Sequence, residues 1–269
     1  EFMLRQHRAN LACRGVLEAN YWSLGSDFRG SGSAGYTLSY MSQMGGWSVL
    51  DYAVRFDPDP ADNLRLGYAS MLSSWALMNT GDAASNGGFW AHGRLHDGAM
   101  SWGFQPRQVG NEWNPAMRDL PRGAWPVCGE ADHGLVAGIE AACTVLFDDP
   151  VFGMLAYGGE VREDGGDIRV IPRDGVRRRF HAVIGARRLH LTMDSDGFAA
   201  ERPICVSRGL DRFSFVLEDR ALRPHEASLV IEGLPPGAYT ITDGGAPRQF
   251  RAIAGRPVKV PLTVGNGRV

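Results

Sequence analysis

Residues 125–138, WPVCGEADHGLVAG, place Cys128, Glu130, Asp132 and His133 within six positions, directly ahead of an apolar, helix-like run. Paired carboxyl groups are what glycoside hydrolysis needs. One protonates the leaving oxygen, and the other serves as nucleophile or base. Residues two apart in a loop can face one cleft, although that spacing does not fix their separation. Asp132 also suits the position just before a helix, where a side-chain oxygen accepts from the first free N–H groups. Glu130 follows Gly129, which suggests a turn, and has no equally plain structural job. A metal site is the alternative, with Cys128, Asp132 and His133 as ligands. Zinc usually wants four clear nitrogen or sulfur donors, and His92 and His96 do not form an HExxH pair. The expectation is therefore no metal and no cofactor.

A second constellation lies in residues 85–104, SNGGFWAHGRLHDGAMSWGF, where Trp90, His92, His96, Asp97 and Trp102 alternate with glycine. Aromatic faces can stack on the apolar face of a sugar, and His and Asp can bond hydroxyls. The plainer reading is a folded loop whose tryptophans plug the core. Glu112 and Trp113 extend the same segment with a weaker signal. Asp51 is the third carboxylate of interest. It shares a helical face with Met44, Trp47 and Val54, where an unpaired charge would be costly. It either lines an inner cleft or pairs with Arg55 one turn on.

Other chemistries find little support. The sequence lacks a Walker A motif, GxGxxG and GxSxG. The basic run RDGVRRR, residues 173–179, has no interleaved aromatics, so it reads as a solvated turn and strand face, not a nucleic-acid site. The formal net charge of −2 suggests neither nucleic acid nor an anionic membrane as partner. No apolar run reaches the ~18 residues a spanning helix needs. Cys13, Cys128, Cys143 and Cys205 fit no zinc framework, and buried thiols are expected at Cys143 and Cys205.

The elements that must position these residues change character along the chain. Four stretches read as helices: 3–22, 36–55, 61–79 and 132–147. The second is apolar nearly all round, which predicts burial. Between the third and fourth lies an irregular segment, 80–129, with nine glycines and four tryptophans. A loop that long usually serves function. From about residue 151 the apolar period becomes two. Short runs such as DIRVIP, RRLHLTM and PVKVPLTV, separated by Gly, Pro and Asp, predict an antiparallel β-sandwich. In RRLHLTM, Leu189, Leu191 and Met193 fall on one face. Charge divides similarly. Residues 1–149 carry 10 Arg against 16 Asp and Glu, a formal −6, and the remainder carries 18 Lys and Arg against 14 acids, a formal +4. The expected class is α+β, with a helical domain over 1–150 and a β-sandwich over 151–269.

The segments YTLSYMSQMGGWSVLDYA, RLGYASMLSSWALMNTG, GEADHG and DDPVFGMLAYGG together resemble a bacterial family of long proteins similar to six-hairpin glycosidases. The resemblance covers residues 1 to about 180. It implies an (α/α) barrel with β-sandwich elements and an oligo- or polysaccharide partner. By analogy it makes Glu130, Asp132 and Asp51 the carboxylates to test, with the tryptophan-rich segment as sugar subsites. Four helices are too few to close such a toroid, so a larger barrel or self-association is expected to complete it. A periplasmic or secreted location would follow if a signal lies upstream. Two other readings remain open. One is a polysaccharide lyase using Tyr36, Tyr40, His92 or His96. The other is a non-catalytic glycan-binding or assembly module.

Overall fold

In the computed structural model, residues 39–76, 138–221, 223–243 and 246–264 are described. Two compact units divide the chain: Glu1–Ala53 with Asp62–Glu140, and Val54–Ala61 with Ala141–Val269. Among the described residues the regular structure is mainly β-sheet, with few helices.

Helix α1 spans Ser39–Arg55 and α2 spans Ala61–Ala76. Pro58 and Pro60 separate them, because proline has no N–H to continue a helical ladder. Gly46 and Gly67 let the two backbones meet. A Cβ on Gly46 would lie 2.8 Å from the Gly67 carbonyl oxygen, and one on Gly67 would lie 2.8 Å from the Leu50 nitrogen. Around this contact Val49, Leu50, Leu64 and Met71 are buried. The expectation of burial all round does not hold for α1. Trp47 is 43% exposed and Phe56, just past the helix, is 70% exposed. Close glycine packing selects one face and leaves the other apolar residues outside it.

Among the described residues, fourteen strands follow. They are β1 (Thr144–Asp149), β2 (Gly153–Tyr157), β3 (Gly159–Asp164), β4 (Asp167–Pro172), β5 (Arg179–Ile184), β6 (Arg187–Met193) and β7 (Gly197–Phe198). The remainder are β8 (Ile204–Ser207), β9 (Phe213–Ser214), β10 (Leu217–Glu218), β11 (His225–Glu232), β12 (Gly237–Ile241), β13 (Arg248–Ala252) and β14 (Val258–Val264). One layer is a six-stranded sheet in the order β14-β11-β6-β5-β1-β2. Packed on it are a four-stranded sheet, β3-β4-β8-β9, and the separate β12-β13 hairpin, while β7 and β10 pair with each other. Leu189, Leu191 and Met193 all point into the shared core, as their alternation predicts, beside Phe180, Ile168 and Leu229.

Two expectations need correction. The helix read over 132–147 ends at residue 141, and Thr144–Asp149 is strand β1. Residues 144–147 are all buried. A strand covered on both faces gives a continuous apolar run, which periodicity cannot tell from a buried helix. The sandwich is also not wholly antiparallel, since β1 pairs with β5 in parallel. The chain between them makes β2, β3 and β4, and so supplies the long crossover that parallel pairing requires. Within the β-rich unit, the segment Val54–Ala61, which includes the last turn of α1, is tied to the six-stranded sheet. The Arg55 guanidinium bonds Glu232 at 2.7 Å, and Arg188 donates to the Asp57 carbonyl at 2.8 Å.

Candidate functional sites of the β-sandwich

Of the residues singled out for chemistry, Asp51, half-buried in α1, and Tyr40, in the first turn of the same helix, lie among those described, and Tyr36 does not. Glu130, Asp132, Trp90, His92, His96, Asp97, Trp102, Glu112 and Trp113 lie outside the described residues. Arg55, the helical neighbour offered to Asp51, bonds Glu232. Cys143 is a buried thiol and Cys205 a half-buried one, and Cys13 and Cys128 fall outside the described residues.

Three loops of the sandwich converge on a polar cluster: 173–178 after β4, 194–196 after β6, and, before β11, residues 219–221 and 223–224. Asp196, 1% exposed, is its centre. Its Oδ1 accepts from the Arg220 N–H at 3.2 Å, and its Oδ2 lies 2.8 Å from His225 Nε2. The other ring nitrogen of His225 sits 2.8 Å from the Arg223 carbonyl and 3.9 Å from Asp219 Oδ1. Both ring nitrogens therefore face oxygen acceptors, and the ring is best satisfied as a double donor. The Arg223 carbonyl first, and then the Asp196 carboxylate, hold the His225 imidazole above its ordinary titration range.

Asp196, Asp219 and His225 bring one potential ligand atom each within 4.8 Å of one another. Both ring nitrogens of His225 already contact protein oxygens, so a metal ion here would have to displace one of those contacts. Neighbouring charges are tied internally as well. Asp194 accepts from the Ser228 N–H at 2.9 Å, Arg178 donates to the Ser195 carbonyl at 3.0 Å, and Arg177 pairs with Glu218. Asp174 takes the Arg177 N–H at 2.7 Å, yet burial pushes its carboxyl up to about 6. The basic run 173–179 is thus not simply a solvated face. Arg173 pairs with Glu160 and Glu201, and Arg177 is folded inward with 17% of its side chain exposed.

A second histidine arrangement sits on neighbouring strands. His181 of β5 and His190 of β6 are cross-strand partners, each 5% exposed, with their Nδ1 atoms 2.9 Å apart. One nitrogen must donate and the other accept. Burial first, and then His190, Arg55 and Arg179, hold His181 well below its ordinary range, so it stays neutral.

The third feature is open. Residues 211–215, around β9, and 239–243, from β12 onward, face each other across a cleft of about 230 Å³. It exists because β9 pairs with β8 and β12 with β13, while β9 and β12 do not pair. The floor is Leu217, Leu229, Ile231 and Leu262. One wall holds Tyr239 and Phe250, cross-strand partners stacked at 5.6 Å. The opposite wall holds Phe213 and Phe215, parallel at 6.3 Å. Asp211, Ser214, Thr240, Thr242 and Asp243 supply polar groups. Asp211 accepts the Ser207 hydroxyl at 2.7 Å, which holds its carboxyl below the usual range. Asp243 pairs with Arg248.

Neither the polar cluster nor the cleft was evident in sequence. Asp196 and His225 are 29 positions apart, and the cleft aromatics come from the β9 segment (Phe213, Phe215), β12 (Tyr239) and β13 (Phe250). The one available signal was alternation, which puts Tyr239 and Ile241 on one side of β12. Among the described residues no helix is long and apolar enough to cross a membrane. Comparisons of the chain with family models, with curated proteins and with solved structures give no match.

Proposed function

We propose that this chain is a carbohydrate-active protein, and that its reaction is glycoside hydrolysis by its helical half. The observation that supports a carbohydrate ligand is the cleft between β9 and β12: half-buried aromatic rings, apolar core residues, and hydroxyls and carboxylates in one lining. This is the mixture of apolar enclosure and few polar groups that small-ligand sites use. Hydrolysis rests on the sequence. Glu130 would act as general acid and Asp132 or Asp51 as base or nucleophile, with Trp90, His92, His96, Asp97, Trp102, Glu112 and Trp113 lining the subsites. In this reading α1 and α2 form one hairpin of an (α/α) barrel, completed by further helices or by a second copy.

The experiment is release of reducing sugar from a panel of neutral and acidic glycans by the chain and by Glu130→Gln. Full hydrolysis by the variant would sink the assignment of the acid. An unsaturated, ultraviolet-absorbing product would instead indicate a lyase. One observation favours a second reading, a non-catalytic binding module. Both rim carboxylates of the cleft are already engaged by donors, Asp211 by Ser207 and Asp243 by Arg248. The Ser207 hydroxyl holds the Asp211 carboxyl below its usual range, the opposite of what a general acid needs. Sugar binding without turnover would support that reading.

A further inference from the structure

We propose that the buried pair His181 and His190 is an acid-sensitive latch, which holds the segment Val54–Ala61 on the six-stranded sheet and releases it when the pair is protonated. The latch is independent of the carbohydrate reading above.

The latch is one row of the sheet. Phe180, Ala182, Leu189 and Leu191 point into the sandwich core, so alternation turns His181 and His190 to the opposite face. The two histidines are cross-strand partners, and Glu232 of β11 is the cross-strand partner of His190. Three neighbouring strands thus place Glu232, His190 and His181 side by side. Both histidines are 5% exposed. The segment Val54–Ala61 is tied down at two points around this row. The Arg55 guanidinium bonds Glu232 at 2.7 Å, and Arg188, two residues before His190, donates to the Asp57 carbonyl at 2.8 Å. Within the segment Val54, Asp57 and Ala61 are buried.

The neutral pair fits this place in one arrangement. Its Nδ1 atoms are 2.9 Å apart, so one ring donates an Nδ1–H and the other accepts at a bare Nδ1. A first proton taken up in acid can sit on the outer nitrogen of the donor ring and leave that bond intact. It still creates a buried charge, which is costly unless paired. A second proton must go to the accepting Nδ1. Two N–H groups would then point at each other, and the rings must part.

The surrounding charges decide what moves. Next to the pair in the sheet, among the described residues, are Arg179 on β5, Arg188 on β6 and Glu232 on β11, and the segment brings Arg55, Asp57 and Asp59. Farther along the same face lie Lys259 on β14, Glu226 on β11, Asp149 on β1 and Tyr157 on β2. Burial first, and then His190, Arg55 and Arg179, disfavour charge on His181. The neutral pair therefore stabilises the closed arrangement above the ordinary histidine value of 6.5, and this is lost as pH falls below it. Glu232 is the acid beside the pair in the row, and Arg55 already uses it. A histidinium competes with Arg55 for that carboxylate and repels the guanidinium at the same time. Arg55 loses its tether, and the segment goes with it.

Hydrogen exchange of the whole chain, read by mass spectrometry and corrected for the intrinsic effect of pH, tests the latch. Amides of residues 54–61 are expected to open about tenfold more or greater at about pH 5 than at about pH 7.5, because each proton taken up on opening shifts the equilibrium about tenfold per pH unit. Those of β4 and β8, in the other sheet, are expected to stay slow at both. His181→Gln combined with His190→Gln keeps a neutral donor and acceptor that take no proton, and is expected to cut the response to about twofold or less. Glu232→Gln removes the charge that holds Arg55, and is expected to open the segment about tenfold already near pH 7.5. Equal opening of the parent at the two pH values overturns the proposal, as does a response that persists in the double variant. Equal acceleration of β4 and β8 also overturns it, because that is unfolding of the sandwich and not release of a segment. A melting curve near pH 7.5 shows whether the double variant is folded. If it is not, Glu232→Gln decides, and a segment as closed as in the parent overturns the latch.

Discussion

The loop cluster around Asp196 and the cleft between β9 and β12 use similar residues to opposite ends. Both contain aspartates, arginines and hydroxyls. In the cluster the groups face one another: Asp196 holds His225 and the Arg220 N–H, Asp194 holds Ser228, and Arg177 holds Glu218. In the cleft Asp211 and Asp243 line an open space beside half-buried aromatic rings. The cluster spends its bonding capacity on joining three loops, whereas the cleft carboxylates line an open space. The difference teaches that a concentration of charged residues is a poor guide to a binding site by itself. Where the bonds point decides the role.

That contrast can be broken by mutation, most forcefully at the cluster's centre. Asp196→Ala removes a buried carboxylate and leaves His225 and the Arg220 N–H short of an acceptor. A loss of about 3 kcal/mol in unfolding free energy is expected. A denaturant titration that placed the variant within experimental error of the parent would mean that the cluster is not holding the loops. The next largest effect has the opposite sign. Asp174 has its carboxyl raised from 3.8 to about 6 by burial, so the folded state prefers it protonated. Its contribution is most favourable below pH 4 and is lost as pH rises through about 6. Asp174→Asn is expected to gain about 1–2 kcal/mol at pH 7.5 and nothing at pH 4. An equal gain at both pH values would rule out this titration as the cause.

The histidines sharpen the comparison further. His225 has a raised folded-state value, so its stabilisation is complete below the unfolded value of 6.5 and is lost as pH rises through the folded value. His225→Gln should therefore flatten the alkaline limb of a melting-temperature profile and leave its acid limb in place. His181 has a lowered value, and its contribution is present above 6.5 and lost as pH falls. Steepening of the alkaline limb in the His225 variant would contradict the double-donor geometry. The smallest effect is predicted for Arg173→Ala. Its pairs with Glu160 and Glu201 are exposed, and such pairs contribute little. Thermal melts of this variant and the parent are expected to overlay, and a clear drop would show that the basic run has a larger role in closing the cluster.

Much of the strand content could be read from the chain. DIRVIP, RRLHLTM and PVKVPLTV alternate as one-sided strands do, and each is a strand. The helix boundary at Arg55 was also legible, because two prolines follow within five positions. TVLF was not legible as a strand. Cover on both faces erased its alternation. The candidate catalytic carboxylates Glu130 and Asp132 remain proposals drawn from residue type and neighbourhood.

The sequence by itself determined where backbone ladders must stop, through proline, and which side chains share a face, through periodicity. Both are local effects of the covalent chain. Only the tertiary structure decided that β1 runs parallel to β5, that His225 lies between Asp196 and the Arg223 carbonyl, and that an unpaired gap separates β9 from β12. These depend on which distant segments meet. Contacts between residues tens of positions apart arise from the packing of whole sheets, and no local pattern in the chain encodes them.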